Sequence, residues 1–150
     1  MIMDDVKPEA FTATLAFRIG TLGALVTDRL AEKAREHGLK VKHVGVLAAL
    51  AGSGPMSQLE LARLMRVAPS LVVTLADHLE TMEAIQRLRD PDDRRRQRLE
   101  LTETGRALLD ECTEAARALD DDLTASLDAE QRATLESLLA AVAAAEGLPA

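Results

Sequence analysis

The sequence predicts a mainly helical fold carrying one small β-hairpin, and three observations carry that prediction. Apolar residues recur at three- and four-residue steps through most of the chain, the period of helices with one buried face. In one short stretch Gln97, Leu99 and Leu101 alternate with Arg96, Arg98 and Glu100, which is the period of a strand. Aromatic residues are nearly absent, Phe11 and Phe17 being the only two, so the core must be built from Leu, Val, Ala and Met.

The first helix is expected over residues 8–37, with Phe11, Leu15, Ile19, Leu22, Val26 and Leu30 in one stripe and Gly38 as its stop. A second, over 41–51, ends at Gly52-Ser53-Gly54-Pro55. Ser57 and Glu60 form a capping box that opens a third helix and turns Leu61, Ala62 and Met65 inward. After the turn Arg66-Val67-Ala68, Pro69 is suited to the first position of a fourth helix. Its buried face is Val72, Leu75 and Leu79, which leaves Pro69, Ser70, Val73, Thr74, Asp77 and His78 outward. Two helices meeting at so short a turn, the second with a free face, form a helix-turn-helix. The hairpin tip is Asp90-Pro91-Asp92-Asp93. Thr102 can cap a fifth helix over 103–126, with a seam at Leu108, Cys112, Ala116, Leu119 and Leu123. Asp128 and Gln131 make a second capping box, opening a helix with Leu135, Leu138, Leu139 and Val142 that ends near Gly147.

A helix of 30 residues spans roughly 45 Å, more than a compact core of this size needs. The apolar stripes at both ends of the chain therefore call for a partner, and the simplest is a second copy. Charge is unevenly distributed. The total is −7, yet Arg87, Arg89, Arg94, Arg95, Arg96 and Arg98 crowd around the hairpin turn, while residues 110–150 are strongly acidic. An acidic total does not exclude a nucleic acid; it requires the acidic end to lie away from the phosphates.

Other classes are less well served. There is no run of 18 apolar residues and no leader pattern, so neither a membrane span nor export is expected. The single Cys112 suits a reducing cytoplasm and, on an apolar seam beside Asp110, Glu111 and Glu114, reads as a core residue. No metal-ligand spacing, Gly-rich phosphate loop or nucleophile–base arrangement occurs, so no metal, cofactor or enzymatic activity is expected.

The order Asp90, Pro91, Asp93, Arg95, then Leu101, Thr102 and Gly105 resembles the wing of the multiple-antibiotic-resistance regulator (MarR) family. Leu61, Ala62, Met65, Val67, Val72, Leu75, Leu79 and Glu80 match that family's helix-turn-helix. The resemblance implies a single winged helix-turn-helix domain over 1–150. Dimerisation helices would occupy about 8–37 and 107–146, and the DNA-binding lobe about 38–106. It implies a homodimer on a pseudo-palindromic operator in double-stranded DNA, most often as a repressor, with release by a small ligand such as an aromatic acid. Within that frame Ser70 and Thr74 would bond phosphates or base edges, Val73 would meet a thymine methyl, and Arg66 and His78 would reach phosphates. Arg95 would enter the minor groove, held by Asp93, with Arg94 and Arg96 on flanking phosphates. Arg18 and His43 are the candidates for an effector carboxylate and its pocket.

The chain departs from the family pattern in three places. No Lys or Arg lies between Val67 and Ile85. Arg66 and Glu83 stand where the family has glycines, at positions that need a positive φ and cost another residue about 1 kcal/mol. Ala68 replaces a capping Ser or Asp. Readout should therefore shift toward the wing. The rival expectation is a protein-interaction module of the same architecture with specific DNA binding weakened or lost.

Overall fold

A computed structural model describes residues 8–149, which fall into two compact units divided after Thr113. Among these residues no helix is long and apolar enough to cross a membrane.

The amino-terminal helix is interrupted where the sequence suggested one continuous run. A short α1 (Pro8–Thr12) is followed by α2 (Leu15–Glu36). Thr14 sits between them in extended conformation, and its hydroxyl accepts the Phe17 N–H at 3.2 Å. A threonine offering its side chain to the backbone starts a helix more readily than it continues one. Gly38 then ends α2 at φ +71°, as its lack of a Cβ allows, and Leu39 N–H closes back on the Ala34 carbonyl at 3.0 Å.

The helix-turn-helix follows expectation closely. α3 (Val41–Ser53) leads to α4 (Gln58–Met65), where Ser57 and Glu60 exchange both capping hydrogen bonds. α5 (Pro69–Thr81) buries Val72, Leu75, Ala76 and Leu79. The hairpin pairs β1 (Ile85–Arg89) antiparallel with β2 (Gln97–Leu101), in the register Ile85 to Leu101, Arg87 to Leu99 and Arg89 to Gln97. Met56, just before α4, adds a bridge to Leu99 with hydrogen bonds of 2.8 and 3.2 Å, so the first turn of the motif is pinned to the hairpin.

The core of the first unit is aliphatic, with Leu39, Val46, Leu47, Leu61, Val72, Leu79, Ile85 and Leu99 fully buried. Each such side chain contributes about 1.5–3 kcal/mol by leaving water. α6 (Glu103–Leu123) is joined to this core through Thr102, whose hydroxyl donates to the Glu83 carbonyl at 2.6 Å and accepts Gly105 N–H at 3.0 Å. Gly105 lies against the Ala84 carbonyl so closely that a Cβ there would be 1.9 Å from that oxygen. α7 (Ala129–Ala145) opens with the capping box of Asp128 and Gln131, both bonds formed.

The apolar stripes at the two ends keep their period but are not covered. Phe11, Leu15, Ile19 and Leu22 are each more than half exposed, as are Leu138, Leu139 and Val142 of α7.

Candidate nucleic-acid interface

α5 offers the surface of a recognition helix. Ser70, Val73, Thr74, Asp77 and His78 are exposed on it, opposite the buried face. The start of α5 has no side-chain cap: Ala68 is extended at φ −64°, ψ 139°, and Pro69, which has no N–H to satisfy, takes the first position. Thr74 donates to the Ser70 carbonyl at 3.2 Å and keeps its acceptor lone pairs outward.

Arg66 and Glu83 both adopt the left-handed conformation, at φ 55° and 57°. They end α4 and follow α5 in the same way: Val67 N–H bonds the Ala62 carbonyl and Ala84 N–H bonds the Leu79 carbonyl, at 3.0 and 2.9 Å. The strain anticipated from the missing glycines is present at both positions. Arg66 remains exposed at the turn.

His78 has a partner that the sequence did not suggest. Its Nε2 lies 3.0 Å from the Gly38 carbonyl, which can only accept, so Nε2 carries the proton. Its ring stacks on His43, centroids 4.5 Å apart. His43 is itself buried, at 6% exposure, and its Nδ1 accepts the Lys40 N–H at 2.9 Å at the start of α3. Burial, then the neighbouring His78 and Lys40, push the His43 pKa below its ordinary value. Arg18 lies exposed on α2.

The wing is a seven-residue loop, 90–96, closed by the Asp90 N–H donating to the Arg96 carbonyl at 2.9 Å. Asp90 accepts the Asp92 N–H at 2.9 Å, and its other oxygen lies 3.5 Å from Arg98. Asp93 accepts the Arg95 N–H at 3.0 Å, while its second oxygen lies 3.7 Å from Nε of Arg96. The Arg94, Arg95 and Arg96 side chains remain exposed.

Arg87 is the residue that sequence reading left in the charged crowd and the structure singles out. Strand alternation turns it toward α5, where it meets Asp77 at 2.6 Å and Glu80 at 2.9 Å with only 17% of its side chain exposed. Asp77 and Glu80 are three residues apart on one helix face, which was the available signal. Those two ion pairs tie β1 to α5 and partly offset the charge of two carboxylates on the exposed side of that helix. Cys112 is half-buried, and burial followed by Glu111 raises its pKa, so it is held as a thiol.

An exposed recognition helix, braced by ion pairs to an arginine-tipped hairpin, defines a winged helix-turn-helix. The MarR family model matches residues 40–96, from the cap of α3 to the end of the wing loop. Over 93 residues the chain is 38% identical to the HTH-type transcriptional repressor NicR of Pseudomonas putida, a match spanning 62% of this chain and 59% of the repressor. The apo form of MarR from E. coli superposes with a TM-score of 0.77 at 25% identity, over 86% of this chain and 96% of that one. YusO of Bacillus subtilis does so with a TM-score of 0.75 at 25% identity, over 93% and 99%. Residues 40–96 thus carry the MarR-family match, and the fold as a whole is that of MarR-type winged helix-turn-helix regulators.

Proposed function

We propose that this protein regulates transcription by binding, as a homodimer, a pseudo-palindromic operator in double-stranded DNA, and that it represses. The observation that carries this reading is the wing: exposed arginines at a hydrogen-bonded tip, on a chain whose overall charge is −7. Three consecutive exposed arginines, two of them without an ion-pair partner among the described residues, fit a polyanion better than they fit solvent. In this reading α5 lies in the major groove, presenting Ser70, Val73 and Thr74 to base edges and phosphates, while Arg95 enters the adjacent minor groove between phosphates met by Arg94 and Arg96. Arg66 meets a phosphate from the turn. His78 serves by holding α5 to Gly38 and keeps less freedom to reach DNA.

Repression is the sign supported by the similarity to NicR, a repressor by its description. Release by a small aromatic acid is part of the same proposal, with Arg18 as the exposed cation and His43 beside the helix start, in a cytoplasmic protein. The lack of any Lys or Arg on α5 favours a second reading, a dimer acting through protein partners. A gel-shift titration with the promoter region of its own gene separates the two. Binding that survives excess unrelated duplex supports the regulator; no retention at low salt supports the partner-binding module.

A further inference from the structure

Between the start of α4 and the wing runs an open groove of about 730 Å³. Strand alternation puts Arg89 and its cross-strand partner Gln97 on the same side of the hairpin as Leu99, beyond the edge of the core. They form one wall with Arg94, Arg95 and Arg96. Ser57, Gln58, Leu59, Glu60 and Arg63 form the other. Five guanidinium groups thus line the groove against a single carboxylate. That carboxylate, Glu60, is engaged in the capping box, accepting the Ser57 N–H at 2.7 Å. Among the described residues, Arg63, Arg89, Arg94 and Arg95 have no ion-pair partner within 4.0 Å, and Arg96 has only the loose contact with Asp93. The hydrogen bonds from Ser57 lower the Glu60 pKa, with Arg98 and Arg96 acting in the same direction, so this carboxylate is held charged. Oε1 of Gln58 is buried on the α4 wall without a hydrogen-bond partner. It is the acceptor that can hold a guanidinium in place while its remaining N–H groups face an anion.

We propose that this groove seats a phosphate of the DNA backbone beside the wing, with Arg63 of α4 and Arg89 of β1 reaching it from the two walls. The inference rests on the regulator reading and adds to it a contact outside both the recognition helix and the wing tip. The occupant is a backbone phosphate because the groove is continuous with Arg94, Arg95 and Arg96, is open to solvent, and is lined by groups whose forked donors match phosphate oxygens. It also supplies what α5 lacks, a cation on a helix of the motif. Contacts to phosphate position the protein without reading sequence, so the two arginines should act alike on every duplex.

The test is fluorescence-anisotropy titration of the whole protein with a duplex from its own promoter and with a scrambled duplex of equal length, over a series of salt concentrations. Arg63→Ala and Arg89→Ala should each weaken binding to both duplexes by roughly 3- to 10-fold and reduce the salt slope by about one unit. Arg63→Lys should recover most of the slope, and Arg117→Ala, which removes only the pair with Glu114 on α6, should change neither. If the parent binds and Arg63→Ala and Arg89→Ala keep its slope, this inference is overturned alone. Losses confined to the promoter duplex would overturn it in favour of base readout. Saturable binding of inorganic phosphate to the DNA-free protein, abolished by Arg63→Ala while the DNA slope stays unchanged, would make the groove a free-anion site. A parent that binds neither duplex would overturn the regulator reading and this contact together.

Discussion

Glu83 and Arg66 hold a backbone conformation that glycine reaches without strain. Glu83→Gly should therefore stabilise the protein by about 1 kcal/mol, read as a higher urea midpoint with an unchanged slope. Arg66→Gly should stabilise similarly but lose a cation from the turn, so its salt slope on DNA should fall while its midpoint rises. Gly105 runs the other way. With the Ala84 carbonyl 1.9 Å from any added Cβ, the obstacle is backbone and cannot rotate aside. Gly105→Ala should cost more than about 3 kcal/mol, since α6 must shift or the Thr102 hydrogen bonds must break. His43 gives stability a pH dependence. Its folded pKa is lowered, first by burial, so folding favours the neutral ring whose Nδ1 accepts the Lys40 N–H. A group with a depressed folded pKa contributes fully above its ordinary value of 6.5, and that contribution is lost as the pH falls through the lower folded value. The urea midpoint should drop as the pH falls below 6.5. His43→Gln retains an acceptor at the same helix position without titrating, and should flatten that drop; an equally steep drop in the variant would assign it to another group.

At the level of elements, the wing and α5 work as one piece because Arg87 ties them together. Arg87→Met keeps the apolar part of the side chain and removes both pairs. It should cost about 1 kcal/mol of stability, since the Arg87 side chain is largely covered but both carboxylates are exposed, and it leaves Asp77 and Glu80 unbalanced on the outer side of α5. Binding should weaken on all duplexes alike. Arg95→Ala, at the tip, should leave stability unchanged and weaken operator binding by about 1–3 kcal/mol with a shallower salt slope; equal affinity at several salt concentrations would refute its minor-groove role. Elements made by local chemistry were legible in the sequence. The capping boxes at Ser57 and Asp128, the stop at Gly38 and the buried face of α5 all follow from residues within a few positions of each other, whereas the hairpin register, with a loop running on to Arg96, does not. Links between distant segments were not. Nothing local tells Arg87 to choose Asp77 and Glu80, Met56 to bridge Leu99, or His78 to seek Gly38. The groove between α4 and the wing is invisible for the same reason, since its walls are some thirty residues apart in the chain. The break at Thr14 was legible and was outweighed by the apolar stripe running through it.

For the whole molecule, the uncovered stripes on α1–α2 and on α7 are the strongest indication of assembly. Seven large apolar side chains more than half in water are a liability for a monomer and an asset for a symmetric dimer. Light scattering at micromolar concentration should return twice 16.2 kDa, and a single-chain mass would refute the dimer. Two copies related by a two-fold axis place two recognition helices at a fixed separation, so the operator should contain two similar half-sites about one helical turn apart, or a multiple of it. What those half-sites look like follows from what α5 lacks. The commonest specific contact, an arginine forked onto guanine, has no donor between Val67 and Ile85. Val73 is exposed to meet a thymine methyl, and Ser70 and Thr74 bond either base type. The arginines are concentrated at the wing and its groove, where on the proposed reading they would sense minor-groove width and backbone, and a narrow minor groove is a property of A·T-rich DNA. Selection from a random duplex pool should therefore yield an A·T-rich, pseudo-palindromic consensus. The ratio of specific to non-specific affinity should lie toward the low end of the ~10³–10⁷ range. Guanines strongly fixed within each half-site would mean that an arginine outside α5, with Arg66 the nearest, reads the major groove, and that the recognition surface extends into the turn.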